Sequence, residues 1–280
     1  VNNYPLPKID EMTRANRKIG LGVMGWADML IALGVAYDSP EAVALADQVM
    51  RAVREEGHAA SRDLARSRGA FPNFKGSIFD RPGAEPIRNA TVTTIAPTGT
   101  ISIIANSSSG IEPLFAISYI RTVLDQNRLV EVNPTFERIA RERGFYSAEL
   151  MERIAEARTV RGMDEVPADV QRVFATAHDI TPEVHVRMQA AFQKHTDNAV
   201  SKTVNFPTEA TENDVDTVFR LAYELDLKGV TIYRDGSRED QVLSTAKKHE
   251  APTLPGVSVA PSLPEQVRAT GAEIVLGNTY

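Results

Sequence analysis

The residues best suited to chemistry in this chain lie between positions 88 and 113. Arg88-Asn89-Ala90-Thr91-Val92-Thr93-Thr94-Ile95-Ala96 leads into Pro97-Thr98-Gly99-Thr100-Ile101-Ser102, and a second polar run, Asn106-Ser107-Ser108-Ser109-Gly110, is followed by Ile111-Glu112-Pro113. Residues 90–96 are rich in β-branched side chains and end at a proline, the pattern of a short buried strand. Pro97-Thr98-Gly99-Thr100 breaks that strand, with Gly99 where a tight turn takes positive φ. Beyond it come hydroxyls and backbone amides, with no strong acid or base before Glu112. Free N–H groups and hydroxyls at the C-terminal end of a strand suit an anion such as phosphate. A plain polar turn is the alternative, and so short a motif does not separate the two.

Other reactive side chains are scattered. Glu112 reads either as an acid poised beside the polar loop or as a carboxylate occupied by local amides. Lys202, in Ser201-Lys202-Thr203, reads as an anion contact or as a solvated strand lysine. Arg234 and Arg238 read as surface charges. His185 and His195 fall ten positions apart in a predicted helix, about 80° apart in projection, which is not the i, i+4 spacing of a helical chelate. No metal site is expected from them or from His178. A serine hydrolase is unsupported, since no Gly-x-Ser-x-Gly elbow occurs. Gly20-Leu21-Gly22-Val23-Met24-Gly25 spells GxGxxG, but the polar residues 12–18 before it have no strand character. The dinucleotide fingerprint requires that strand, so close helix packing through small residues is the expected role.

Composition narrows the classes. At 280 residues, with 42% hydrophobic and 24% charged residues, the chain has the make-up of a globular protein of one large or two small domains. A net charge of −6 gives no electrostatic basis for a nucleic-acid partner. No apolar run reaches membrane-spanning length and the start lacks a secretory pattern, so a cytoplasmic location is expected. Cysteine is absent, which excludes disulfides, thiolate metal sites and cysteine nucleophiles from this sequence.

Several elements must position the reactive stretch. Residues 1–10 read as an extended lead-in and residues 11–33 as a helix, with Ile19, Val23, Trp26, Leu30 and Leu33 on one face. Ser39-Pro40-Glu41 opens a helix ending by Gly69, Asn133-Pro134 one stopped by Gly144, and Ser147 another. A short helix follows Pro167, Thr181-Pro182-Glu183 opens one running to His195, and Thr211 caps one to Leu225. Residues 114–123, 202–206 and 228–233 read as strands, giving an α/β architecture. From about residue 246 scattered prolines and small residues suggest a flexible tail over 246–280, after a folded portion at 1–245, with Glu273-Ile274-Val275-Leu276 a faint strand signal.

Six phrases, in order, resemble one family. They are Asn2-Asn3-Tyr4-Pro5; residues 15–28, containing Asn16-Arg17-Lys18-Ile19-Gly20; residues 89–102; Ser109-Gly110-Ile111-Glu112-Pro113; residues 197–205, beginning Asp197-Asn198-Ala199; and Lys228-Gly229-Val230-Thr231-Ile232-Tyr233-Arg234. Together they resemble the C-terminal part of the catalytic chain of a class II, adenosylcobalamin-dependent ribonucleotide reductase, from residue 1 to about 245. The resemblance implies part of a ten-stranded α/β barrel and radical replacement of the ribose 2′-hydroxyl by hydrogen in a ribonucleoside diphosphate or triphosphate. It implies that Pro97, Thr98, Gly99, Thr100, Ile101 and Ser102 bind the substrate's phosphates. It places Asn89, Gly110, Ile111, Glu112 and Pro113 near the active site, and adenosylcobalamin in the assembled enzyme. The family's radical cysteine, its reducing cysteine pair and its tail cysteines have no counterpart here, nor does its Asn-x-Cys-x-Glu loop. The expectation is therefore a component inactive alone, partnered by a separate chain bearing the N-terminal half and served by an external dithiol. A non-catalytic phosphate-binding or regulatory remnant of the family is the alternative.

Overall fold

The computed structural model describes residues 3–122 and 128–237. The expected tail, the signal at residues 273–276 and Arg238 lie outside the described residues. Helices α1 (Pro7–Asn16), α2 (Trp26–Leu33), α3 (Pro40–Arg68) and α4 (Gly99–Ala105) precede an antiparallel pair, β1 (Ser118–Thr122) and β2 (Arg128–Val132). There follow α5 (Pro134–Glu142), α6 (Ala148–Ala157), α7 (Ala168–Val173) and α8 (Pro182–Gln193), then β3 (Thr203–Phe206), α9 (Glu212–Glu224) and β4 (Thr231–Arg234). Strands β3 and β4 pair in parallel, with Thr203 opposite Thr231 and Phe206 opposite Arg234.

The N-terminal region corrects two expectations. The lead-in is not extended throughout, because α1 begins at Pro7, whose fixed φ suits a first helical turn. The apolar period over 11–33 is not one helix either. Helix α1 ends at Arg17, which is left-handed at φ 49°, and the chain then runs extended to Gly25. Ile19 N donates to Thr91 O (3.0 Å), Leu21 N to Val92 O (2.7 Å) and Thr94 N to Leu21 O (2.9 Å). The glycines explain the switch. A Cβ on Gly22 would lie 2.1 Å from the Thr94 carbonyl oxygen, and one on Gly20 2.4 Å from Thr94 Cγ2. Their small size thus serves backbone-to-backbone approach in a sheet-like contact, not helix packing.

Residues 91–95 form the centre of this arrangement. On the side away from 19–21 they bond to 198–201: Asn198 N donates to Thr93 O (3.0 Å) and Ser201 N to Ile95 O (2.9 Å). The contacts are parallel but confined to isolated bridges, Leu21–Thr93 and Ile95–Val200, so the expected strand over 90–96 is an extended, largely buried run at 91–95 rather than a full strand. A third parallel bridge joins Leu114 to Thr176. The architecture is mixed α/β, and among the described residues the short parallel runs do not close into a barrel.

Helices pack around these runs. Trp26, Leu30, Met50, Ile95, Ile111, Met188 and Phe192 share the first core, where the Trp26 and Phe192 rings meet edge-on at 5.0 Å. Phe136, Leu150, Ile154 and Phe174 centre the second, and Val186, Val204, Phe206 and Val218 the third. Helix starts follow local chemistry: Ser39 Oγ accepts from Ala42 N (3.1 Å), Asn133 caps α5, and Thr211 and Asp214 form a reciprocal capping box. Helix α8 ends at Gln193, so His195 lies beyond it and does not share a helix with His185. No helix among the described residues is long and apolar enough to cross a membrane.

Candidate functional site

The extended run 91–95 delivers the chain to an exposed turn, Ala96-Pro97, and then directly to α4. Thr98 is the residue before the helix and carries the left-handed backbone, φ 54°; Gly99, where positive φ was expected, is the first helical residue. A non-glycine residue pays for that conformation only where its side chain is held. Here the Thr98 hydroxyl accepts from Gly110 N (2.7 Å) and lies 3.3 Å from Ser109 Oγ, which itself donates to Pro97 O (2.6 Å). Because Thr98 faces the second polar run, α4 starts without a side-chain cap. Its first intrahelical bond is Ser102 N to Thr98 O (2.9 Å), leaving the Gly99, Thr100 and Ile101 amides with no acceptor inside the helix. Gly99 and Thr100 are exposed. Ser102 is buried and its hydroxyl donates to Gly99 O (3.1 Å), so it braces the turn.

The second polar run is tied to the start of α2. Gly25 N donates to Ser108 O (2.8 Å) and Ser108 N to Asp28 Oδ2 (2.5 Å). Gly110 has φ 48°, and a Cβ there would sit 3.2 Å from Ala96 O, so the approach of the two loops requires glycine. The structure thus brings residues 97–102 together with 109–113. Asn89 is not among them: it lies before the extended run, donating from Nδ2 to Arg17 O (2.9 Å) and accepting from Ser61 Oγ (3.0 Å).

Behind the loops sits a buried charge pair. Lys202, read from sequence as solvated or anion-binding, is 1% exposed, and Nζ lies 2.5 Å from Glu112 Oε2. Its other neighbours are Thr203 O (2.6 Å) and His185 Nδ1 (2.7 Å), and Glu112 Oε1 accepts from Thr203 N (2.7 Å). An ammonium has three protons and no lone pair, so His185 must accept at Nδ1 and donate from Nε2 to Ala177 O (3.1 Å). The imidazole is therefore neutral. Burial, then the Lys202 charge, holds its pKa down at about 3. Burial likewise lowers Lys202, against the pull of Glu112. Beside the pair, Tyr37 Oη donates to Ile111 O (2.6 Å), and burial followed by the Glu112 charge raises the phenol. Glu112 thus holds the turn after the second loop against the start of β3.

Asp197 escaped the sequence reading. Its carboxylate accepts from His58 Nε2 (2.8 Å), Val92 N (2.8 Å) and Thr93 N (3.2 Å). Burial opposes ionisation, but His58 and the two amides outweigh it and hold the pKa at about 2. Only its place in the Asp197-Asn198-Ala199 phrase marked it. Among the described residues no group of three or more His, Asp or Glu is placed to hold a metal.

Residues 1–233 match the barrel domain of ribonucleotide reductase. The chain belongs to that family. It is 54% identical over 246 residues to the vitamin B12-dependent ribonucleoside-diphosphate reductase of Mycobacterium tuberculosis (strain CDC 1551 / Oshkosh), covering 88% of this chain and 35% of that protein. The protein of the same description from Thermoplasma acidophilum is 49% identical over 243 residues, 87% of this chain and 31% of the relative. Among solved structures, the Actinobacillus ureae class Id ribonucleotide reductase alpha subunit superposes with a TM-score of 0.70 at 25% identity, over 83% of this chain and 42% of that subunit. The reductase barrel sequence thus spans about a third of the length of the curated relatives it matches.

Proposed function

We propose that this chain supplies the substrate-phosphate-binding loop of a B12-dependent ribonucleoside-diphosphate reductase, within a part of its ten-stranded barrel. The observation that carries the reading is the uncapped start of α4. The Gly99, Thr100 and Ile101 amides have no acceptor inside the helix, and these three residues are exposed at the end of a buried extended run, where phosphate oxygens find donors. The relatives' description as diphosphate reductases favours that substrate class. Pro97 and Thr98 shape the turn, Ser102 braces it, and Gly110 to Pro113 hold it from behind.

In this reading the chain's own residues at 97–102 bind and orient the phosphates. With no cysteine in the sequence, thiyl chemistry and its dithiol reductant must come from polypeptide outside it, either a separate chain or the remainder of a longer one. Adenosylcobalamin, when bound, supplies the radical. His185 is not its ligand, since both ring nitrogens are buried and bonded.

Gly99→Val is the decisive variant. Nothing lies within 4 Å of a Cβ at Gly99, so valine fits the fold while obstructing the amides. Combined with a cysteine-bearing portion of the family, ribonucleoside diphosphate, adenosylcobalamin and a dithiol, the wild-type chain is expected to yield deoxyribonucleotide. The variant should raise KM by about tenfold, the loss of hydrogen bonds to a charged group, at unchanged Tm. Equal KM values would remove the loop assignment. Phosphate binding by a stable monomer that never supports turnover would favour the remnant reading.

A further inference from the structure

We infer that the chain carries a second anion site, for a multiply charged phosphate compound, in a basic cavity at the opposite end of the strand-like runs from α4. The cavity, of about 450 Å³, opens where residues 19–21 and 91–95 begin, whereas the Pro97 turn lies where the latter run ends. Arg14, Arg17, Lys18, Arg68 and Arg88 line it, and no acidic side chain does. Arg14 is paired with Asp10 at 2.8 Å; among the described residues the other four form no ion pair with a carboxylate.

Like charges converge there because the backbone holds them. Arg17 sits in the left-handed region, with its carbonyl taken by Asn89 Nδ2 (2.9 Å), and its Nε is buried without a hydrogen-bond partner. Arg88 is anchored by Nη1 donating to Arg68 O (2.8 Å) and Gly69 O (3.0 Å). Desolvation, then Arg17 and Arg68, lowers the Arg88 guanidinium from its usual value, the signature of cations crowded without a counter-ion. A buried guanidinium N–H without an acceptor costs free energy that an oxyanion would recover. One polyphosphate brings several charges and many acceptor oxygens on a small body, which suits the cavity's size. Carboxylates from a companion polypeptide would have to converge in number to do the same.

The test uses tripolyphosphate as probe, followed by calorimetry and by phosphorus NMR on the full chain at low salt. Arg17→Gln removes the buried donor. Lys18→Gln with Arg68→Gln changes only exposed side chains and guards against a folding defect in the first variant. Each is expected to weaken binding by about tenfold or more at unchanged melting temperature, with affinity falling as salt rises. Gly99→Val, which obstructs only the α4 amides, is expected to retain this binding. The inference fails if tripolyphosphate does not bind, if Gly99→Val abolishes binding while the arginine and lysine variants keep it, or if a glutamate-rich peptide displaces the probe at lower concentration. Because these outcomes do not involve turnover, they stand apart from the reductase assay.

Discussion

Lys202, fully buried, and Glu112, whose side chain is 24% exposed, are 90 positions apart and meet as an ion pair with Nζ 2.5 Å from Oε2, and every proton of the ammonium has an acceptor. Breaking one side of such a pair leaves the other charge stranded. Because Glu112 keeps partial contact with water and the Thr203 amide, Lys202→Met should lower unfolding free energy by at most about 3–5 kcal/mol, read by urea denaturation. The double variant Lys202→Met/Glu112→Gln should lose less than the two single changes summed. Simple additivity would show that the pair is not coupled.

The neutral His185 imposes a pH dependence of definite sign. Its folded pKa, about 3, lies below the ordinary histidine value of 6.5. Between those values the unfolded chain takes a proton that the folded chain refuses, so stability falls as pH drops from 6.5 toward 3. His185→Gln, whose carbonyl can still accept from Lys202, should flatten the slope between pH 6.5 and 4. An unchanged slope would mean that the imidazole is protonated in the folded state.

Asp197 acts over a lower range. Its carboxyl is depressed from 3.8 to about 2, so the stability that it contributes is present above the ordinary value and is lost as pH falls through 4 toward 2. Asp197→Asn removes the charge facing His58 and replaces an acceptor with a donor near the Val92 and Thr93 amides. A loss of about 1.5–3 kcal/mol is expected, the range for hydrogen bonds to a charged group, with the acid-side slope below pH 4 reduced.

Two glycines should respond in opposite ways. Gly22→Ala drives a Cβ to 2.1 Å from the Thr94 carbonyl oxygen and forces the 19–21 run away from 91–95. That overpacking should cost about 1–3 kcal/mol or more. Gly99→Val, in open space, should leave the melting temperature within about a degree or two of wild type. Comparable melting temperatures for the two variants would mean that the backbone yields easily at Gly22.

Much of the helical framework was legible because its signals are local. Ser39-Pro40-Glu41, Asn133-Pro134, Ser147, Thr181-Pro182-Glu183 and Thr211 each mark a helix start through a side chain meeting amides two or three residues on. The short strand at 203–206 was legible for similar reasons, through β-branched residues ending at Pro207, but its parallel pairing with 231–234 was not. Residues 11–33 misled because their apolar period is genuine, but Thr94 lies where a side chain at Gly20 or Gly22 would go, and that constraint comes from 74 and 72 residues further along. Thr98 displaced Gly99 as the left-handed residue because Gly110 N, twelve positions away, holds its hydroxyl. The Lys202–Glu112–His185 cluster and the clamp on Asp197 join segments with no local cue, so only the tertiary contact gives them meaning.

Helix α4 carries one further implication. Ile101, Ile103 and Ile104 on it are 54%, 79% and 79% exposed, on the same seven residues that offer the unpaired amides. Any surface that shelters those isoleucines also lowers the dielectric around the donors, and hydrogen bonds to an anion strengthen as water leaves. Under the anion role proposed for this loop, docking at the helix and anion binding are thermodynamically reciprocal: whatever tightens one tightens the other by the same factor.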